Sequence, residues 1–148
     1  MPVPEREHRP PVAVVTGAGS GIGVATAARL SADGFAVVAA DIDDEAAART
    51  AKQLALGSVA STVDVRDEEM VRELIALAEQ IGRVEVLANV AGVGSTTAVT
   101  DTTVENWEAV MGSTREAFPL LHACDSRHGG TGAGVDRQRR VRRRAWWA

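Results

Sequence analysis

The sequence predicts an α/β fold in which a doubly wound parallel sheet carries helices on both faces. Short β-branched apolar runs alternate four times with segments of helical composition, which is the pattern of right-handed βαβ crossovers. The runs are apolar throughout, as expected for parallel strands that are buried on both faces. A chain of 148 residues with 45% hydrophobic content suits one small domain of this class, or part of a larger one.

The first half of the chain contains two strand–helix units. Residues 12–16 (Val-Ala-Val-Val-Thr) form a β-branched run that ends at a glycine, which predicts a buried strand. The alanine-rich segment 22–32 ends at a glycine stop signal and predicts a helix. Residues 35–40 form a second apolar run, and residues 43–56 have helical composition and again end at a glycine. We therefore expect the order strand, helix, strand, helix.

The second half repeats this order. Residues 59–63 predict a third, weaker strand, and residues 84–90 predict a fourth. Between them, residues 67–81 place apolar side chains at helical spacing and end before a glycine, which predicts an amphipathic helix. A loop rich in Ser, Thr and Gly over 93–102 leads into a helix over 103–124, whose first residue is a threonine suited to capping it.

A glycine-rich turn joins the first strand to the first helix. Residues 16–23 read Thr-Gly-Ala-Gly-Ser-Gly-Ile-Gly. Glycine permits a tight turn and leaves no side chain to block a pyrophosphate, while the free N–H groups of the following helix attract that anion. A strand before the turn and a helix after it are the context that a dinucleotide-binding, Rossmann-like turn requires. The alternative is a glycine-rich turn that binds no ligand.

An acidic residue ends the second predicted strand. Asp41 lies 18 residues after Gly23, close to the spacing of about 20 residues at which a carboxylate binds the adenosine ribose. Such a carboxylate accepts hydrogen bonds from the ribose hydroxyls and repels a 2′-phosphate, so we expect NAD to be preferred over NADP. Arg29 is the one arginine between the turn and Asp41, and its place inside the helix does not suit phosphate binding. The alternative is that Asp41 caps the next helix.

Four motifs resemble those of the short-chain dehydrogenase/reductase family, in the same order and at suitable spacing. The resemblance covers about residues 12–111, that is, the N-terminal, cofactor-binding part of the family. The motifs are the glycine-rich turn 16–23, the pair Asp64-Val65, the segment 89–92 (Asn-Val-Ala-Gly), and Thr103 with Trp107.

The resemblance implies an NAD-dependent oxidoreductase that acts on a secondary alcohol or ketone. It also implies that Asp64 and Val65 contact adenine and that Asn89 braces the central sheet. Val90 departs from the family pattern, which has a second Asn at this position. The fold it implies is Rossmann-like, truncated here after about four strands. The expected cofactor-binding residues are Gly17, Ser20, Gly21, Ile22, Gly23, Asp41, Asp64, Val65, Asn89, Ala91 and Gly92.

The proton-transfer centre that the resemblance implies has no counterpart in this chain. The family uses a Tyr-x-x-x-Lys motif, in which Tyr exchanges a proton with the substrate oxygen and Lys lowers the pKa of that Tyr. This chain has no Tyr, and its single lysine, Lys52, lies in an early helix. Ser113 and Thr114 stand where the family has an active-site Asn. We assign no catalytic residue, and we expect this chain to bind the dinucleotide but to be inactive by itself. A small-molecule substrate is expected only in a full-length relative.

Charge divides the chain into an acidic body and a basic C-terminal segment. Residues 1–125 carry 19 acidic and 9 basic side chains, whereas residues 126–148 carry seven Arg and one Asp. We expect three parts: a disordered leader over 1–11, a partial NAD-binding domain over 12–124, and an irregular basic tail over 125–148.

Three interpretations of this tail stay open. The arginines and two tryptophans could contact phosphates or other acidic partners, which would make the chain a non-enzymatic dinucleotide-binding or interaction module. The acidic body argues against a nucleic-acid partner. The tail could also be a solvated segment without a partner. The third interpretation is a reading-frame change, because residues 135–144, read one nucleotide on with GC-rich codons, give a segment that resembles the family's fifth strand and catalytic serine.

Composition excludes several other classes of protein. The single cysteine, Cys124, excludes an intrachain disulfide and a multi-cysteine zinc site, and we expect no metal centre. No run of 18 apolar residues predicts a membrane span, and the start of the chain lacks the apolar core of a signal peptide. We therefore expect a cytoplasmic protein without a membrane partner. The sequence does not indicate an oligomeric state.

Overall fold

The computed structural model describes residues 9–55 and 57–115. The predicted basic tail lies outside these residues, so its three interpretations stay predictions. Cys124 and most of the predicted leader also lie outside the described residues. The last residues of that leader are ordered, contrary to the prediction. The Arg9 guanidinium Nη2 donates to the carbonyl oxygens of Glu79 and Gln80 at 2.5 and 3.1 Å. The Pro10 carbonyl accepts from the Arg83 N–H at 2.9 Å, so the first strand begins at Pro11.

Strands and helices alternate as the sequence predicts. A short 3-10 helix, Val99–Asp101, interrupts the loop that precedes the last helix. In chain order the elements are β1 Pro11–Thr16, α1 Gly21–Ala32, β2 Ala36–Asp41, α2 Asp44–Lys52, β3 Val59–Thr62, α3 Glu68–Ile81, β4 Arg83–Asn89 and α4 Val104–Arg115. No helix within the described ranges is long and apolar enough to cross a bilayer.

The four strands form one parallel sheet in the order β3-β2-β1-β4, which confirms the predicted fold. The chain adds β2 and β3 on one side of β1 and then returns to place β4 on the other side. Val14 in β1 therefore lies between Val38 in β2 and Leu87 in β4. This reversal makes the carboxyl ends of β1 and β4 the topological switch point, where ligands bind in open α/β sheets.

Two apolar layers cover the two faces of the sheet. The helices α1 and α2 pack on one face and α3 packs on the other. Side chains that are adjacent in a strand point to opposite faces, so the continuous apolar runs of β1 and β2 supply both layers. The α1 layer contains Ala13, Val15, Ala18, Ala27, Val37 and Ala39, and the α3 layer contains Val12, Val14, Val38, Ala40, Val63, Val71, Leu74, Ile75 and Ala78.

The helix α2 is shorter than the predicted segment 43–56. It ends at Lys52 because the last turn tightens: the N–H groups of Gln53 and Leu54 donate to carbonyls three residues back, Thr50 and Ala51. The N-terminus of α2 is capped by Asp43, whose carboxylate accepts from the Ala46 N–H at 3.0 Å.

Candidate functional site

A cleft of about 480 Å³ opens at the carboxyl ends of the strands, beside the switch point. Its wall combines the turn after β1, the ends of β2 and β3, the segment after β4, and two residues of α4. It includes ten of the eleven residues predicted to bind the cofactor: Gly17, Ser20, Gly21, Ile22, Gly23, Asp41, Asp64, Val65, Ala91 and Gly92.

The N-terminus of α1 faces this cleft without a side-chain cap. Ser20 is the N-cap residue, but its hydroxyl makes no capping hydrogen bond, and the first turn of α1 holds no acidic residue. By contrast, α2 and α3 are capped by Asp43 and Asp67, and both have acidic first turns. A helix N-terminus carries a partial positive charge and unpaired N–H groups, so α1 offers these groups to an anion in the cleft.

The glycines of the turn allow a close approach that side chains would prevent. Gly17 has φ of +66°, and a Cβ on it would lie 2.8 Å from the Ala91 backbone in the segment after β4. A Cβ on Gly23 would collide with the Gly17 carbonyl oxygen. Gly21 has φ of +46°, and a Cβ there would meet no atom within 4 Å. The turn is therefore closely packed at Gly17 and Gly23, whereas the space beside Gly21 is open.

Two buried threonines hold the turn in place. Thr16 is 1% exposed, and its hydroxyl oxygen accepts from the backbone N–H groups of Val90 and Ala91, both at 3.2 Å. Thr50 is 4% exposed and donates its hydroxyl proton to the Ala18 carbonyl at 2.8 Å. The first contact joins the ends of β1 and β4, and the second ties the turn to α2. Nothing in the local sequence around Thr50 signals this role, because the contact spans 32 residues.

Asp41 contacts the glycine turn directly. Its Oδ2 accepts from the Gly19 N–H at 2.8 Å, and its Oδ1 accepts from the Asp43 N–H at 3.1 Å. Asp43, and not Asp41, caps α2, so the alternative role that the sequence left open for Asp41 is wrong. The Asp41 carboxylate lies at the wall of the cleft, fixed by two backbone donors.

Asp64 and Arg66 form an ion pair at the same wall. The Nη2 of Arg66 lies 2.7 Å from Oδ2 of Asp64, and the guanidinium lowers the pKa of the Asp64 carboxyl below its ordinary value of 3.8. The Val63 N–H donates to the Asp41 carbonyl at 2.9 Å, which keeps the ends of β2 and β3 adjacent. The two carboxylates that the sequence predicted for cofactor binding thus share one cleft.

Asn89 is the predicted residue that does not line the cleft. It ends β4, the edge strand of the described sheet, and its side chain is exposed. The bracing that the family resemblance implies for Asn89 stays a prediction, and next to it Thr16 accepts hydrogen bonds from the N–H groups of Val90 and Ala91.

Several cleft residues were not predicted from the sequence. Ser113 accepts from the Val93 N–H at 3.2 Å and donates to the Val110 carbonyl at 2.8 Å, so it ties the segment after β4 to α4. Some of the other cleft residues lie next to predicted residues in the sequence, and this proximity could have indicated them. The unpredicted cleft residues are Ile42, Val63, Arg66, Val90, Val93, Ala109 and Ser113.

Neither a metal centre nor a lysine is found at the cleft. Within residues 9–55 and 57–115, no group of three His, Cys, Asp or Glu side chains is placed to hold a metal ion. Lys52 ends α2, its side chain is exposed, and it is not among the residues of the cleft wall.

Comparison with known proteins agrees with this geometry. The family model for short chain dehydrogenases matches residues 11–122. The chain belongs to the short-chain dehydrogenase family. Over 103 residues it is 41% identical to the meso-2,3-butanediol dehydrogenase of Serratia marcescens, a match that covers 68% of this chain and 41% of that protein. Over 105 residues it is 40% identical to an uncharacterized oxidoreductase of Staphylococcus saprophyticus, covering 68% of this chain and 45% of that protein. The matches thus span less than half the length of these short-chain dehydrogenase relatives.

Two solved structures of short-chain dehydrogenases show the same fold. A 3-ketoacyl-(acyl-carrier-protein) reductase from Brucella melitensis, complexed with NADH, matches with a TM-score of 0.73 and 29% identity, over 81% of this chain and 50% of that one. A short chain dehydrogenase/reductase from Burkholderia phymatum, in complex with NAD, matches with a TM-score of 0.73 and 34% identity, over 81% of this chain and 44% of that one.

Proposed function

We propose that this chain binds a nicotinamide adenine dinucleotide in the cleft, as the cofactor-binding part of a short-chain dehydrogenase. The observation that carries the proposal is the uncapped N-terminus of α1 beneath a wall that contains ten of the predicted residues. Two similar structures, from Brucella melitensis and Burkholderia phymatum, are complexes with NADH and NAD. When bound, the dinucleotide supplies the group that accepts or donates a hydride.

Different residues of the cleft bind different parts of the dinucleotide. The N–H groups at the start of α1, with the glycines of the turn, hold the pyrophosphate. Asp41 accepts from the ribose hydroxyls of the adenosine, and Asp64 with Val65 holds the adenine. Ala91 and Gly92, after β4, line the same cleft. Asn89 is exposed and pairs with Thr16 in the sheet directly before this segment.

Charge at the ribose end supports NAD in preference to NADP. In this proposal the Asp41 carboxylate lies beside the adenosine ribose, where it would repel the 2′-phosphate of NADP. Arg66, the basic residue of the described cleft wall, forms an ion pair with Asp64. Arg29 forms its ion pair with Asp33 near the far end of α1, at 3.0 Å.

We further propose that the 148-residue chain does not transfer hydride by itself. It contains no Tyr, and its single lysine lies outside the cleft wall. Without a proton donor at the substrate oxygen, reduction of a carbonyl lacks general acid catalysis, which contributes about 10²- to 10⁴-fold in rate. The butanediol dehydrogenase relative supports a secondary alcohol or ketone as the substrate class of a longer protein that contains this part.

Titration of the chain with NADH, followed by nucleotide fluorescence, tests the cofactor proposal. We expect saturable binding that weakens about tenfold or more in Asp41→Ala, because a charged acceptor for the ribose is lost. NADPH should bind the unaltered chain more weakly than NADH, and the Asp41→Ala change should narrow that difference. Asp33→Ala is the matched control, since it removes an exposed carboxylate directly after α1, away from the cleft. Equal NADH binding by the unaltered chain and Asp41→Ala would contradict the assigned role of Asp41.

A further inference from the structure

We propose that Arg66 is a positioning residue that fixes the Asp64 carboxylate for recognition of the adenine amino group, and that it thereby sets the base specificity of the cleft. The inference rests on the proposed function, because it concerns the adenine end of the same site. It adds a residue that the sequence motifs did not indicate, since Arg66 follows the Asp64-Val65 pair and belongs to none of them.

Arg66 holds the Asp64 carboxylate through both its side chain and its backbone. The guanidinium Nε donates to Oδ1 at 2.9 Å and to Oδ2 at 3.1 Å, and Nη2 donates to Oδ2 at 2.7 Å. The Arg66 backbone N–H donates to Oδ1 at 3.0 Å. A bidentate guanidinium fixes the plane of a carboxylate as well as its position. These hydrogen bonds from Arg66 hold the Asp64 carboxylate in the orientation that it has at the cleft wall.

The fixed carboxylate keeps acceptor capacity for a ligand. An ionised carboxylate offers about four acceptor positions, and the backbone N–H and Nε of Arg66 take the two on Oδ1. Nη2 donates to Oδ2 at 2.7 Å, and the Nε–H is shared between Oδ1 at 2.9 Å and Oδ2 at 3.1 Å. Arg66 thus brings three N–H groups to a carboxylate that can accept about four hydrogen bonds, which leaves capacity for one N–H of a ligand. The Arg66 guanidinium also lowers the pKa of Asp64, so the carboxyl is ionised and acts as an acceptor at neutral pH.

The surroundings of Asp64 suit a flat aromatic base. Val63, Val65 and Ile42 line the same cleft as Asp64. Ile42 is 64% exposed, an unfavourable state for a large apolar side chain that a stacked base would relieve. In such a site, a carboxylate beside position 6 of the purine selects a base that carries an N–H donor at that position. Adenine has such a donor in its 6-amino group, whereas hypoxanthine has a carbonyl oxygen there, which the carboxylate repels.

Binding of two dinucleotides that differ at this one group tests the inference. The probes are NADH and reduced nicotinamide hypoxanthine dinucleotide, each titrated into the full 148-residue chain. The unaltered chain should bind NADH about tenfold or more tightly than the hypoxanthine analogue. The Asp64 carboxylate accepts a hydrogen bond from the 6-amino group of adenine, and the analogue has no donor at that position. In Arg66→Ala this ratio should fall to about threefold or less, mainly through weaker NADH binding.

Four further variants separate positioning of the Asp64 carboxylate from other effects on binding. Arg72→Ala is the matched control, because Arg72 also pairs with carboxylates, those of Glu68 and Glu69 on α3, but does not line the cleft. It should leave the ratio unchanged. Arg66→Lys should give an intermediate ratio, because an ammonium group does not hold a carboxylate plane. Asp64→Asn should lose discrimination whether or not Arg66 is present, so the double variant should show no additional effect.

The outcomes distinguish this inference from the proposed function. If the unaltered chain binds NADH in an Asp41-dependent way but Arg66→Ala keeps the full ratio, the role of Arg66 is wrong and the cofactor site stands. If Arg66→Ala instead weakens NADPH selectively, Arg66 binds phosphate and the inference is again wrong. Failure of the unaltered chain to bind NADH overturns both. Circular dichroism of each variant, compared with Arg72→Ala, shows whether a change in binding reflects loss of the fold.

Discussion

The carboxylate of Asp41 accepts a hydrogen bond from the backbone N–H of Gly19 at 2.8 Å. This bond joins the end of β2 to the turn that follows β1, so the acidic residue and the glycine-rich turn at the cleft are directly connected. Its existence depends on glycine, because a Cβ at position 19 would lie 2.8 Å from Oδ2 of Asp41 and 2.7 Å from the Cβ of Ala46.

Gly19→Ala should therefore weaken NADH binding about tenfold, since the new methyl group displaces the carboxylate that we propose binds the ribose. Fluorescence titration measures the effect. In an Asp41→Ala background the same substitution should have little further effect, because the carboxylate is already absent. Additive losses from the two substitutions would show that Gly19 acts independently of Asp41.

Gly23→Ala should lower the free energy of unfolding by about 1–3 kcal/mol, because a Cβ there collides with the Gly17 carbonyl, which is backbone and cannot rotate away. Urea denaturation followed by circular dichroism measures this change. Gly94→Ala is the matched control, since a Cβ at that position meets no atom within 4 Å. Equal stability of the two variants would mean that the turn relaxes without cost.

Thr16→Val should also destabilise the protein, by about 1–3 kcal/mol, because the N–H groups of Val90 and Ala91 lose their acceptor at a buried position. Thr16→Ser keeps the hydroxyl and loses one methyl group, so it should be less destabilising than Thr16→Val. Urea denaturation of both variants provides the comparison. The reverse order would indicate that the methyl group of Thr16, and not its hydroxyl, stabilises the junction of β1 and β4.

Stability should depend on pH through Asp64. Its pKa is lowered in the folded state by Arg66, so ionisation favours folding above the ordinary value of 3.8, and this contribution is lost as the pH falls through the lower folded value. The difference in stability between the unaltered chain and Asp64→Asn should therefore shrink below about pH 4. Urea denaturation from pH 6 down to pH 3 tests this. A difference that stays constant over the range would exclude the ion pair as its source.

The 148-residue chain should show no NAD-dependent oxidation of secondary alcohols, including meso-2,3-butanediol, because it has no Tyr. Absorbance of NADH at saturating dinucleotide measures the reaction. The butanediol dehydrogenase of Serratia marcescens, assayed in parallel, is the positive control. Turnover by this chain above the rate without protein would contradict the proposed inactivity and would require another proton donor.

The order of elements and the location of the cleft were predictable because their signals are local. The glycine turn between an apolar run and an alanine-rich segment identified β1 and α1, and the acidic residue after β2 marked Asp41. The end of α2 at Lys52 was not predictable from composition, since it depends on how the last turn tightens. The start of β1 at Pro11 also depends on a distant element, because Pro10 bonds to Arg83.

By itself, the sequence determined the alternating α/β order and the parallel sheet, because strand and helix periodicity act over short distances. Ten residues that line one cleft followed from the glycine spacing, from the place of Asp41 after β2 and from the family resemblance. Only the tertiary structure showed that Asp41 bonds to Gly19, that Thr16 joins β1 to β4, and that Asn89 lies outside the cleft wall. The Thr16 contact spans 74 residues. Such contacts arise from the strand order β3-β2-β1-β4, which brings together side chains and backbone groups that no local pattern links.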